Sequence, residues 1–155
     1  MASTAPTAQS ISDLTLRIEE EIHVHASLEQ TFAALLEQLG PESTDGQGKP
    51  MPLKIEPWPG GRWFRDLGDN NGHLWGHVQA IKRPTLLEIC GPLMISFPVY
   101  SNVQYRLSEV EGGTLIKFHH LALGFVPDNL KTGFNSGWKS IHERVRRAAE
   151  SKRLH

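Results

Sequence analysis

The sequence has a single cysteine, Cys90, among its 155 residues. An intramolecular disulfide needs two cysteines, and a cysteine-based zinc site needs at least as many, so both are excluded. The apolar neighbours Leu87 and Ile89 predict that Cys90 is a small side chain buried in the core.

Long apolar runs and an excess of one charge are also missing. No run approaches the roughly 20 apolar residues that a membrane-spanning helix requires. Sixteen Lys and Arg stand against 17 Asp and Glu, which gives a net charge of −1. A nearly neutral chain lacks the overall attraction for nucleic acid or anionic lipid that a basic chain has. We therefore expect no nucleic-acid partner and no membrane span.

The first 12 residues are small and polar, without the basic start and apolar stretch of a secretory signal. We expect residues 1–12 to form a disordered N-terminus and residues 13–152 to form a single domain, which is an ordinary domain length. One cysteine and no recognisable signal favour a cytoplasmic location.

The N-terminal part of this domain begins with a period of two. Apolar and polar residues alternate over about 13–25, which predicts a strand with one exposed face, and the alternation is broken only at Glu20. Ser27 then fits the N-cap of a helix that ends at Gly40-Pro41. A loop rich in glycine, proline and serine follows over residues 42–50.

Between residues 51 and about 124 no helical period is found. Short β-like runs alternate with turn signals, which predicts about six strands in an antiparallel meander. The strand 114–122 places one alternating set on its inner face: Ile116, Phe118, His120 and Ala122. The strand 99–107 similarly directs Val99, Val103, Tyr105 and Leu107 to one face.

After Pro127 the helical period returns, with Asp128 as a cap and an end near Lys152. One apolar stripe runs along this helix: Phe134, Trp138, Ile141, Val145 and Ala148. A twisted sheet must cover its apolar face, and this helix of roughly 25 residues, about 37 Å, is the only element long enough. Since a straight helix cannot touch a curved sheet everywhere, we expect an elongated cavity between them.

Several short motifs, in this order, resemble a known family. They are Pro59-Gly60-Gly61-Arg62-Trp63, the strand entry Gly76-His77-Val78 with the Pro84 turn, Gly112-Gly113-Thr114 with His120, and Gly137-Trp138. The chain resembles the START-related (SRPBCC) superfamily, and within it the branch similar to the C-terminal domain of the activator of heat-shock-protein-90 ATPase. The resemblance implies an α+β helix-grip fold, a curved antiparallel sheet of six to seven strands wrapped on a long C-terminal helix. It also implies a cavity for a hydrophobic ligand or substrate.

Aromatic side chains and one histidine are the candidates for contact with a small hydrophobic or aromatic ligand: Trp63, Trp75, Tyr105, Phe118, His120, Phe134 and Trp138. The alternative for each of them is ordinary core packing, and a cavity wall satisfies both interpretations. A buried tryptophan also needs a partner for its indole N–H.

An enzyme of the cyclase or dehydratase type, acting on a polyketide-like or aromatic substrate, is a second hypothesis. His120, His77 and Arg65 would then supply proton transfer or hold an oxyanion. The alternatives are a hydrogen-bonded core histidine for His120 and a surface ion pair of Arg65 with Asp66 or Asp69. A third hypothesis, a co-chaperone-like interaction module, follows from the name of the branch. His73 adjoins a predicted turn and is not a candidate.

Eight histidines raise the question of a metal site. His23, His25 and His119 are all predicted outward on two strands that pair in a helix-grip sheet, so they could cluster, but no metal-binding spacing accompanies them. We expect no metal and no cofactor. One basic cluster is predicted to be solvated and to complement the helix dipole: Arg144, Arg146, Arg147, Lys152 and Arg153. A homodimer is left open.

Overall fold

A computed structural model describes residues 11–152 and contains one seven-stranded antiparallel sheet and two long helices. The elements in chain order are β1 (Thr15–Val24), α1 (Leu28–Leu39), β2 (Lys54–Ile55), β3 (Arg62–Gly68), β4 (Asn71–Lys82), β5 (Leu86–Gly91), β6 (Val99–Val110), β7 (Gly113–Gly124) and α2 (Asp128–Lys152). The spatial order of the strands is β1-β7-β6-β5-β4-β3-β2. The predicted α+β class is confirmed.

The start of the chain differs from the prediction in detail. A short 3-10 helix, Ile11–Leu14, precedes β1, so the strand is shorter than the predicted 13–25. Ile11 and Ser12, which we predicted to be disordered, belong to that 3-10 helix, and the rest of the predicted disordered segment lies outside the described residues. The boundaries of a single domain at 13–152 stay a prediction.

The period-two pattern of the sequence corresponds to the two faces of the sheet. In β1 the buried residues are Leu16, Ile18, Ile22 and Val24, and in β7 they are Thr114, Ile116, Phe118, His120 and Ala122. Ile18 pairs with His120 and Ile22 with Ile116, so the buried sets of the two strands share one face. Glu20 lies on that same inner face and is partly buried.

Helix α1 begins at the predicted cap. The Ser27 hydroxyl accepts a hydrogen bond from the backbone N–H of Gln30 at 3.2 Å, and the Gln30 side chain accepts one from the Ser27 N–H at 3.4 Å. This reciprocal pair satisfies two amide groups that would otherwise lack partners at the helix start. The helix buries Phe32 and Leu35 and packs against α2.

Helix α2 lies across the inner face of the sheet. Phe134, Trp138 and Val145 of the predicted stripe are buried, and His142 is buried with them. Ile141 and Ala148 are half-buried at the edge of the stripe. Within residues 11–152 we find no helix with the length and apolar character needed to cross a membrane.

A β-bulge disturbs the pairing of β3 with β4. Trp63 pairs with Gly76, but the next residue, Phe64, pairs with Leu74, so Trp75 is the extra residue on β4. A bulge of this kind shifts the alternation of faces by one residue. As a result Trp75 is buried while His77 is exposed on the outer face of the sheet.

The prediction for Cys90 was wrong. In β5 the side chains of Leu87 and Ile89 point to the core, so Cys90 alternates onto the outer face and is partly exposed. There its sulfur accepts a hydrogen bond from the Asn102 amide at 3.4 Å. The period of two along the strand therefore outweighs the apolar character of the local sequence.

Candidate functional site

A cavity of about 670 Å³ lies between the first half of α2, strands β3 and β4, the end of α1 and the loop that follows α1. Its wall is mainly apolar and aromatic: Leu39, Met51, Leu53, Trp63, Trp75, Met94, Phe134, Trp138 and Ile141. Helix α2 packs against β1, and strands β3 and β4 lie at the opposite end of the sheet. The cavity therefore lies between the sheet and α2 at the end of the sheet opposite β1, an end that the sequence argument did not specify.

Two tryptophans form the part of the wall made by the sheet. The rings of Trp63 and Trp75 meet edge to face, with centroids 5.1 Å apart. The Trp63 indole N–H donates to the Leu39 carbonyl at 2.7 Å, and that of Trp75 donates to Nδ1 of His73 at 3.2 Å. Because both polar N–H groups have partners, the tryptophans can offer the cavity an apolar surface.

Two glycines form part of the wall made by α2. Gly133 and Gly137 are one helical turn apart and both line the cavity, and a Cβ atom added at either would meet nothing within 4 Å. A glycine inside a helix costs roughly 1 kcal/mol of stability relative to alanine. The helix therefore gives up stability at two positions where a side chain would take space from the cavity.

Behind Trp138 lies a chain of hydrogen bonds through His120. The Trp138 indole N–H donates to Nδ1 of His120 at 3.1 Å, so the imidazole proton is on Nε2, which is 2.9 Å from the Ser101 hydroxyl oxygen. Burial lowers the pKa of His120 from 6.5 to about 4. His120 is thus neutral, with both nitrogens occupied, and it holds Trp138 in place.

A second buried chain links Glu20, His142 and Tyr105. Nδ1 of His142 is 3.2 Å from a Glu20 carboxylate oxygen, an electrostatic contact without hydrogen-bond geometry, and the Tyr105 hydroxyl is hydrogen-bonded to Nε2 of His142 at 3.0 Å. With the proton on Nδ1, facing the carboxylate, Nε2 accepts from the tyrosine. Burial lowers the pKa of His142 although Glu20 opposes this, and burial raises the pKa of Tyr105. Glu20, the residue that breaks the alternation of β1, therefore makes a polar contact with α2.

The predicted ligand contacts fall into two groups. Trp63, Trp75, Phe134 and Trp138 line the cavity. The other three, Tyr105, Phe118 and His120, are packed beneath α2 and are not part of the cavity wall. The rings of Phe118 and Trp138 lie 4.8 Å apart, so this second group supports the wall from behind.

The three predicted catalytic residues are not brought together. Arg65 lines the cavity and is exposed, His120 is enclosed behind Trp138, and His77 is on the opposite face of the sheet. The expected ion pair of Arg65 with Asp66 is wrong, because Asp66 bonds Lys54 at 2.7 Å. Within residues 11–152 Arg65 has no ion pair, with Asp69 or any other acid.

Sequence reasoning missed most of the polar residues of the cavity, among them Gln38, Thr44, His73 and Arg144. His73 pairs directly with Arg65 across β3 and β4. Arg144 was assigned to the solvated basic cluster, although its spacing of seven and three from Gly137 and Ile141 places all three on one helical face. That spacing was the signal that could have found it.

The remaining members of the basic cluster do form surface ion pairs. Arg146 pairs with Glu143 and Glu150, Arg147 pairs with Glu143, and the Lys152 ammonium lies 2.6 Å from a Glu37 oxygen. Arg153 lies outside the described residues. Arg144 thus differs from its neighbours in both position and partners.

The histidines of the outer face do not form one group. The rings of His23 and His25 are 5.1 Å apart. His119 instead pairs with Glu19, four residues along the strand from His23, and its Nε2 is hydrogen-bonded to the side-chain Oδ1 of Asn102 at 2.8 Å. In the described part of the chain we find no group of three or more His, Cys, Asp or Glu side chains placed to hold a metal ion.

Solved structures share this architecture at low sequence identity. Ara h 8.0201 is 15% identical with a TM-score of 0.65, and the match covers 88% of this chain and 99% of that one. The chain has the helix-grip fold. The Aha1 dimer from Colwellia psychrerythraea is 17% identical with a TM-score of 0.63, covering 87% and 96%, and CalU16 from Micromonospora echinospora is 19% identical with a TM-score of 0.57, covering 90% and 78%.

These similarities confirm the predicted helix-grip fold, and the Aha1 dimer is among the structures that share it. No family model and no curated protein matches the sequence. At these identities the likeness concerns the fold alone.

Proposed function

We propose that the protein binds a small hydrophobic or aromatic molecule in the cavity between the sheet and α2. The observation that carries the proposal is the cavity itself, with about 670 Å³ of space and a wall of three tryptophans and Phe134. Pockets for small molecules commonly measure about 300–1,000 Å³ and combine an apolar wall with a few polar groups. The helix-grip fold of the neighbours supports the same proposal.

The wall favours an apolar ligand for a physical reason. Removing apolar surface from water contributes about 25 cal/mol for each Å², so a ligand gains most where it covers ring faces. The indole N–H groups of Trp63 and Trp75 are already bonded, and that of Trp138 donates to His120. A ligand therefore need not satisfy any of these donors.

The test is a fluorescence titration with the neutral dye N-phenyl-1-naphthylamine. We expect binding to the wild-type protein and at least about tenfold weaker binding to Gly137→Leu, because Gly137 lines the cavity, a Cβ there meets no atom within 4 Å, and the longer side chain would take up space that the ligand needs. Lys139→Leu, on the exposed side of the same helix, is the matched control and should leave the affinity unchanged.

Thermal unfolding of each variant shows whether the fold is kept. No binding to the wild-type protein, or equal binding to a folded Gly137→Leu variant, would contradict the proposal. The same titration gives the ratio of bound dye to protein, which should be one per cavity.

A cyclase- or dehydratase-type enzyme is a second candidate, supported by one observation. Arg65 and His73 face each other across β3 and β4 at the cavity wall, where one could hold an oxyanion and the other move a proton. Incubation with an aromatic polyketide-like compound, followed by chromatography, should then give a product that His73→Gln fails to form. Unchanged substrate with the wild-type protein would exclude it for that compound class.

The partner and location predictions also continue as proposals. A homodimer is in keeping with the description of one structural neighbour as a dimer, and sedimentation equilibrium should give twice 17.3 kDa. A co-chaperone-like role has only the fold of that neighbour in support, and a pull-down with the chaperone tests it. Cell fractionation tests the cytoplasmic location.

A further inference from the structure

Three polar atoms in the cavity wall have no partner. They are Oε1 of Gln38, Oγ1 of Thr44 and Nε of Arg144, each shielded by the protein and without a hydrogen bond within residues 11–152. All three residues line the same cavity. Buried polar atoms are nearly always bonded, and three of the five unpaired ones among the described residues surround this one space, where a ligand group would pair them.

Arg144 is the charged member of this set. Its Nη1 donates to the Ser140 hydroxyl at 2.9 Å, but in the described part of the chain no carboxylate pairs with it. The side chain is partly buried, and its Nε–H is shielded from water without an acceptor, so an anionic oxygen of a ligand would supply the missing partner. The guanidinium fork is also suited to a planar acid group.

The other charged groups of the wall strengthen this asymmetry. Arg65 is a second cation without an ion pair among the described residues. Among residues 11–152 the one carboxylate that lines the cavity, that of Asp45, accepts hydrogen bonds from the backbone N–H groups of Gln47 and Lys49 at 2.8 and 2.9 Å. The cavity thus presents more positive than negative charge to its contents.

We infer that the ligand is an organic acid, with an apolar or aromatic body against the tryptophans and a carboxylate or sulfonate held by Arg144. The Thr44 hydroxyl is a second donor to the acid group, and Oε1 of Gln38 accepts from a hydroxyl or amine of the ligand. This inference rests on the proposed function, since it specifies the chemical class of the cavity's ligand.

Two dyes that differ by one acid group test it. 8-Anilinonaphthalene-1-sulfonate is N-phenyl-1-naphthylamine with a sulfonate added, so the ratio of their dissociation constants measures the contribution of the anion. We expect the wild-type protein to bind the sulfonate dye at least about tenfold more tightly than the neutral dye, because Arg144 can donate a charge-assisted hydrogen bond to the sulfonate.

Substitution of the cation should remove that preference. Arg144→Met keeps the length of the side chain and should weaken sulfonate binding about tenfold with little change for the neutral dye, while Arg144→Lys should retain part of the preference. Arg147→Met removes an exposed cation of the same helix and should change neither constant.

The outcomes separate the two proposals. If the neutral dye binds but the sulfonate binds no more tightly, the acid inference is overturned and the proposed function stands. If Arg144→Met weakens both dyes equally while Arg144→Lys does the same, Arg144 is structural and the inference is again overturned. If neither dye binds, both proposals fail.

Discussion

The two ends of the sheet differ in the surroundings of their polar side chains. Under α2, at strands β1, β7 and β6, buried polar side chains form continuous chains of contacts: Trp138, His120 and Ser101 in one, and Glu20, His142 and Tyr105 in the other. At strands β3 and β4 the corresponding space is open, and Gln38, Thr44 and Arg144 are left with unpaired atoms. The first region holds the helix on the sheet, and the second keeps a space free.

Large-to-small substitutions should show this difference most strongly. Phe118 is buried between Tyr105, Trp138 and His142, so Phe118→Ala should lower the free energy of unfolding by about 3–5 kcal/mol. Met51, which lines the cavity and is only half-buried, is the matched control, and Met51→Ala should cost about 1 kcal/mol. Urea denaturation measures both, and equal losses would remove the distinction between the two regions.

The free energy of unfolding should fall in acid because of the buried histidines of the packed region under α2. The pKa of His120 is about 4 in the folded protein and near 6.5 when unfolded, so the unfolded state binds more protons between these values. Stability is therefore full above about pH 6.5 and falls as the pH is lowered, by about 2 kcal/mol at pH 5 and about 3 at pH 4. The lowered pKa of His142 adds in the same direction.

Urea denaturation at a series of pH values measures this effect against the variant His120→Gln. The variant lacks the titrating group, so its free energy of unfolding should fall less steeply below pH 6.5 than that of the wild-type protein. Parallel curves for the two proteins would show that His120 does not carry the dependence.

The smallest change in stability is expected at the cavity beside strands β3 and β4, and there the substitution should stabilise the protein. Gly133→Ala adds a methyl group where nothing lies within 4 Å and removes a flexible residue from a helix. We expect a gain of about 0.5–1 kcal/mol, or a rise in Tm of roughly 2–4 °C. Gly124→Ala is the contrast, since φ is 136° there and the new Cβ would lie 2.2 Å from the Pro98 oxygen. A loss of stability in Gly133→Ala would show that the space is already filled.

The regular elements of the packed region could be predicted from the sequence. The faces of β1, β6 and β7 follow from alternation, and α1 and α2 follow from a cap residue and a helical stripe. Even the exception at Glu20 was visible as a break in the pattern. Its partner, His142, was not, because the contact joins residues more than 100 positions apart.

Less of the cavity could be predicted from the sequence. Its presence follows from the mismatch of a curved sheet and a straight helix, but the bulge at Trp75 breaks the alternation that would have assigned faces to His73 and His77 on β4. Met51 and Leu53 come from a loop without any period. Arg144 was taken for a solvated residue because arginine is usually exposed, although its spacing from Gly137 and Ile141 places it on the helical face that lines the cavity.

The bare strip of α2 at Gly133 and Gly137 has a practical consequence for engineering. Because these two positions are one turn apart and project no atoms, a graded series of side chains there would move one wall of the cavity inward in steps of a methyl group. The smallest side chain in the series that prevents a compound from binding would then measure the thickness of that compound. A single helix would then suffice to sort a chemical library by size, with the sheet left untouched.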